Sequence, residues 1–156
     1  MCDELDEEEK VDGRYRDLLQ LLLTLAQFYL FVNKQREEKF VWFGEEEGCF
    51  KVAIGGDGAP FGNDDQALAW LMSFLSCDKR ISRPEENYLL FGANCSEDCK
   101  ATRRYIRMLR SQIEKNEKNT YLLIVNGERK NVTFYFELLP NDMKYLAFIA
   151  GELPIQ

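Results

Sequence analysis

Residues 49 to 63 read CFKVAIGGDGAPFGN, and the parsing of this stretch decides the fold. Phe50, Val52 and Ile54 alternate with Lys51 and Ala53, the period-two pattern of a strand with one buried face. The pattern then meets Gly55, Gly56, Asp57 and Gly58, with Pro60 just beyond. Glycine weakens a strand and proline removes a ladder donor, so the strand is expected to end on Asp57 and the backbone to turn outward there. Aspartate suits such a turn for purely local reasons, because it tolerates tight backbone geometry and accepts nearby amide hydrogen bonds. It also suits a divalent metal ion, which takes hard oxygen ligands, and this makes Asp57 the first candidate functional residue.

Upstream, KFVWFG (39–44) reads as a short strand joined to this one by an acidic turn, Glu45-Glu46-Glu47-Gly48, and the two are expected to form a hairpin. Before it, a long helix is expected from about Gly13 to Glu38. Its run from Leu18 to Val32 is apolar around most of its circumference, so burial on more than one side, by the domain or by a protein partner, is expected. That run is about 15 residues, short of the roughly 20 needed to span a bilayer. Downstream, QALAWLMSFLSC (66–77) fits helix or buried strand and is read as strand because the strand-like YLLFGANC follows it. SEDCKATRRYIRMLRSQIEKNEK (96–118) reads as a helix with Ser96 as N-cap, Glu97 and Asp98 at its positive end, and Ile106, Leu109 and Ile113 as its apolar stripe. A hairpin turns at Asn126-Gly127, with Val132, Phe134, Phe136 and Leu138 on one face of its second arm. That arm stops at Pro140, and Asp142 precedes a last helical segment, MKYLAFIAGEL.

The whole is expected to be an acidic tail (1–12), an N-terminal helix (13–39) and one α/β core (40–156). The 156 residues suffice for a single hydrophobic core, and 46% apolar with 30% charged residues is a globular composition. A net charge of -7 is the wrong sign for a stand-alone nucleic-acid binder. Any DNA contact must use a local basic patch, a metal ion or segments outside this chain. With no histidine, Ser-His-Asp and Cys-His catalysis within the chain are excluded, and carboxylates are left to do chemistry. Five cysteines in no dense framework favour reduced thiols inside the cell, and the acidic N-terminus is unlike a secretory leader.

Asp57 and Asp142 share one context, each at or just after a strand. Neighbouring strands would bring the two carboxylates together as hard oxygen ligands for divalent ions. Two metals about 3.5–4 Å apart stabilise the attacking and leaving oxygens of phosphoryl transfer. The order of a strand bearing Asp, two more strands, a helix and a strand with a second Asp resembles the RNase H-like core of DDE transposases and of the V(D)J recombinase catalytic subunit. The resemblance spans about Phe50 to Glu152 and rests on VAIGGDGAPFG, FGANCSED and FYFELLPNDMK. It implies an RNase H-like mixed β-sheet flanked by helices, Mg²⁺ or Mn²⁺ on Asp57 and Asp142, DNA as substrate and a nuclear location. Glu97 would be an auxiliary carboxylate. The family's third acid lies on a later helix, whereas this chain stops 14 residues after Asp142 with Glu152 its last acid, so a C-terminally incomplete core, inactive alone, is expected.

Several features stay open between function and bland structure. Lys144 and the set Arg103, Arg107 and Arg110 on one helix face are candidate phosphate contacts, or a solvated surface. Cys95 and Cys99 lie one helical turn apart but offer too few ligands for zinc. Asn94 and Asn131 head glycosylation sequons. The GGDG run also resembles the phosphate-approaching glycines of NAD and lipid kinases, although Ala59-Pro60-Phe61-Gly62 follows where that family has a small hydroxyl residue and a helix. A non-catalytic interaction module is the third reading.

Overall fold

The computed structural model describes residues 10–33, 39–61, 65–117 and 119–138. In these, a six-stranded mixed sheet is accompanied by two helices. In chain order the elements are β1 (Gly13–Tyr15), α1 (Leu18–Asn33), β2 (Cys49–Phe61), β3 (Asp65–Phe74), β4 (Tyr88–Ala93), α2 (Lys100–Glu117), β5 (Thr120–Val125) and β6 (Glu128–Leu138). Short 3-10 helical turns within Leu75–Ser82, kinked at Asp78, and at Pro84–Glu86 join β3 to β4. The strand order is β1-β4-β3-β2-β6-β5. Every pair is antiparallel except β2 with β6, which run parallel from Cys49↔Thr133 to Ile54↔Leu138.

The strand does not end at Asp57. β2 continues in register with β3 to Phe61, Pro60 standing opposite Gln66. The physical reason is that β6 pairs with β2 only as far as Ile54. Beyond that point β2 has a ladder neighbour on one side among the described residues, and an edge position tolerates proline's missing N–H.

The first helix begins at Leu18 and not at about Gly13, and its expected end at Glu38 lies outside the described residues. Asp17 caps it, its Oδ1 accepting the Gln20 N–H at 2.8 Å, so the helix begins at Leu18, and Gly13–Tyr15 pair with β4 instead. Leu18, Leu22, Ala26, Tyr29 and Leu30 bury one side. Leu21, Leu23, Leu25 and Val32 are partly buried against the same core, while Phe28 (52% exposed) and Phe31 remain on the surface near Ile124 (62% exposed).

The expected strand at 39–44 and its hairpin are also absent. Phe40 and Trp42 serve instead as wedges: Phe40 meets the Tyr29 ring edge-on at 5.2 Å, and Trp42 meets Phe50 at 5.0 Å. Phe43 and Gly44 then turn the chain at positive φ. The hairpin at Asn126-Gly127 forms as read, both residues at positive φ, and Val132 and Phe134 of its second arm are fully buried. Both helices lie on one face of the sheet. Tyr29 of α1 packs on Phe74, and Tyr105 of α2 packs on Trp70 and stacks on Phe91 with centroids 4.3 Å apart. Phe74 and Trp70 are four apart on β3 and so share that face.

One buried carboxylate fastens α1 to the segment before β4. Glu86 is 8% exposed; its Oε2 accepts the Tyr29 hydroxyl and, at 3.6 Å, the Cys77 thiol. The Tyr88 hydroxyl lies 2.7 Å from that of Tyr29. Burial first, then the bonds to Glu86 and Tyr88, push the Tyr29 hydroxyl far above its ordinary value of 10.0. The unfolded chain can therefore ionise Tyr29 above about pH 10 while the folded one cannot. Its contribution is complete below that pH and is lost above it at about 1.4 kcal/mol per unit. Tyr29→Phe is expected to cost about 1–3 kcal/mol at neutral pH by removing one hydrogen-bond donor from the buried Glu86 side chain, and to flatten the alkaline decline in urea-melt stability.

Candidate functional site

In their parallel pairing β2 and β6 run toward the same end of the sheet. The last pair is Ile54↔Leu138, and Asp57 follows three residues later, its backbone in register with Ala69. Asp142 and Lys144 lie outside the described residues, as do the side chain of Asp57 and the expected C-terminal helical segment.

Two glycines of the GGDG run are explained by what covers them. A Cβ on Gly56 would collide with the indole of Trp70, its cross-strand partner. A Cβ on Gly58 would come within 2.7 Å of Glu97 Oε1 and 2.9 Å of its Cγ. The carboxylate of Glu97 thus lies over the Gly58 backbone, and its Oε1 accepts the Gly58 N–H at 3.0 Å. A charged acceptor makes this the stronger kind of backbone hydrogen bond. The contact ties the turn after β4 to β2 one residue from Asp57.

Glu97 is not in the first turn of the helix. α2 starts at Lys100, and Ser96 does not cap it, since its hydroxyl donates to Asp98 Oδ1 at 2.5 Å. The cap is Cys99, whose Sγ accepts the Thr102 N–H at 3.4 Å. Glu97 therefore sits in the turn, where its side chain can reach back across the sheet. Sequence spacing marked the residue; the glycine beneath it carried no separate signal.

On α2, Ala101, Thr102, Tyr105, Ile106 and Leu109 are buried, and Ile113 is packed against the core. Arg107 and Arg110 are exposed and Arg103 is half-buried with its Nε buried. That is the arrangement of a phosphate-contacting patch and equally of a solvated outer face. Cys95 and Cys99 both approach the hydroxyl of Thr102. Among the described residues no group of three or more His, Cys, Asp or Glu side chains is gathered closely enough to hold a metal ion, so the thiol pair has no third ligand of those types. None of the described helices is long and apolar enough to cross a membrane. The cluster of Tyr29, Cys77, Glu86 and Tyr88 escaped sequence reasoning, because its members are distant in the chain and Pro84-Glu85-Glu86 looks like a solvated turn.

No protein-family model matches the chain, and no curated protein matches it either.

The two glycines should respond differently to alanine. Gly56→Ala meets a rigid, buried ring and is expected to cost about 1–3 kcal/mol in a denaturant melt. Gly58→Ala meets the far end of a flexible side chain, so it should cost about 1 kcal/mol, mostly the lost hydrogen bond. In a Glu97→Ala background the Gly58→Ala change should become neutral, and a double-mutant cycle reads that coupling directly.

Proposed function

We propose that this chain is an RNase H-like nucleotidyl-transfer core of the DDE transposase or recombinase type, acting on DNA phosphodiesters. The observation that carries the reading is the parallel alignment of β2 with β6 after an intervening antiparallel pair and helix. Both strands run toward the same end of the sheet, and this reading puts the carboxylates of Asp57 and Asp142 beyond it. The glycines support the reading in a second way. Space over Gly56 and Gly58 is taken by Trp70 and Glu97, which leaves little backbone for a nucleotide phosphate to approach and disfavours the kinase-like alternative.

In this reading Asp57 and Asp142 hold Mg²⁺ or Mn²⁺, hard ions that take oxygen ligands, and the absence of histidine fits that donor set. The bound ions would supply charge stabilisation to the attacking and leaving oxygens. Glu97 fixes the backbone beside Asp57 through Gly58, and so holds the strand in place for its carboxylate. Arg103, Arg107, Arg110 and Lys144 are the proposed phosphate contacts, with further DNA contacts from outside this chain. A nuclear location follows from a DNA substrate.

A second reading has its own observation. Phe28, Phe31, Leu122 and Ile124 are exposed on α1 and the outer strand β5, the kind of apolar surface by which an interaction module docks a protein.

The deciding measurement is a thermal melt with and without Mn²⁺. At about ten times the dissociation constant, binding to the native state adds roughly 1.4 kcal/mol, and for a chain of this size Tm should rise by about 3–6 °C. The combined Asp57→Asn and Asp142→Asn variant should show no rise. A shift that persists unchanged in that variant refutes the site. Metal-dependent nicking of supercoiled DNA, lost in the same variant, would separate the transferase from the interaction module.

A further inference from the structure

The turn that carries Glu97 is bounded by two thiols that converge on one atom. Cys95 Sγ lies 3.4 Å and Cys99 Sγ 3.2 Å from Thr102 Oγ1. Thr102 is fully buried and donates its single hydroxyl hydrogen to the Ser96 carbonyl at 3.1 Å, so both thiols donate to its oxygen. The intervening turn is closed by the Cys99 N–H on the Ser96 carbonyl at 3.3 Å. Two cysteines four apart across such a turn thus present their sulfurs to one shared acceptor. Cys99 also caps α2, its sulfur accepting the N–H of Thr102. Both residues are half-buried and reach solvent, while Cys77 is buried.

We propose that Cys95 and Cys99 form a redox switch that releases Glu97 from Gly58. The oxidant is a peroxide. The Cys99 thiolate attacks one peroxide oxygen, the O–O bond breaks, and a sulfenic acid forms with the loss of one water. The Cys95 thiolate then attacks the sulfenic sulfur, the S–S bond forms, and the hydroxyl leaves as a second water. Two thiols have given up two electrons and two protons to hydrogen peroxide, and a dithiol reductant reverses the step. Closing the bond removes both thiol hydrogens from Thr102 and contracts the turn of which Glu97 is the middle residue. Glu97 reaches Gly58 only from that turn, so its carboxylate withdraws and the Gly58 N–H loses its acceptor. The device acts on the site proposed above, but it is read at Gly58 and requires neither metal nor DNA.

The test uses the full chain, treated with hydrogen peroxide and then examined by peptide mapping and amide hydrogen exchange. A link between Cys95 and Cys99 is expected, with Gly58 exchange faster by about tenfold or more and amides of the β5–β6 pairing unchanged. Dithiothreitol should restore the original rate. The combined Cys95→Ser and Cys99→Ser variant should show no acceleration under peroxide. If that variant fails to protect its β5–β6 amides, Cys95→Ala alone serves instead. Linkage through Cys2, Cys49 or Cys77, unaltered Gly58 exchange despite the Cys95–Cys99 bond, general loss of protection, or acceleration in the cysteine variant each overturn the switch. Loss of the Mn²⁺ response with the switch intact would instead count against the metal site.

Discussion

Everything in the sheet depends on β2 having two different neighbours. On one side it runs antiparallel to β3 from Val52 to Phe61, and on the other it runs parallel to β6 for six residue pairs. A parallel pair cannot be closed by a tight turn, so the chain between them must make a long excursion. Here that excursion consists of β3, β4, α2 and β5. Because β2 carries buried Phe50, Val52 and Ile54 under both helices, a slip of one residue in either pairing would turn those side chains outward. The aromatic rings of Phe74 and Phe134, on the two neighbours, both pack on Phe50 and fix the register from either side.

The same strand changes character along its length. Up to Ile54 it is an interior strand filled with large side chains, whereas from Gly55 it becomes a narrow ribbon paired with β3. The glycines there are matched to neighbours that need room: an indole over Gly56 and a carboxylate over Gly58. Asp57 lies between them, on a backbone pinned by β3 on one side and by Glu97 through its following residue. A rigid strand with a side-chain brace holds a functional carboxylate better than a loop would.

Much of this order was legible. Alternation marked β2 and β6, the Asn126-Gly127 turn marked the hairpin, and the 3.6-residue stripe marked α2. The failures have local causes. Pro60 signals the end of a strand only when both sides are hydrogen-bonded, and sequence does not say where a neighbour stops. Phe40 and Trp42 alternate as a strand would, yet the same spacing serves an irregular segment whose rings plug a core. Ser96 is a better cap by propensity than Cys99, but its hydroxyl is engaged by Asp98 and its carbonyl by Thr102. Of the site, Asp57 and Glu97 were visible as acids at meaningful positions. Their link through Gly58 was not, since it joins residues 39 apart through a glycine without a side chain to give it away.

The excursion between β2 and β6 also sets an order of assembly. As the chain emerges from the ribosome, β2 and β3 are both present early and can pair locally. The inner neighbour of β2 is made only when residues 128–138 arrive, and joining it closes a loop that includes most of the core. Such non-local pairing is slow, because loop-closure entropy is paid before the contacts repay it. Until then the β6 side of β2 and the ring of Phe50 stand uncovered, a sticky edge on a half-built sheet. The local Asn126-Gly127 turn shortens that interval: β5 and β6 can form a hairpin of their own and dock as one unit, with β5 already occupying the outer edge.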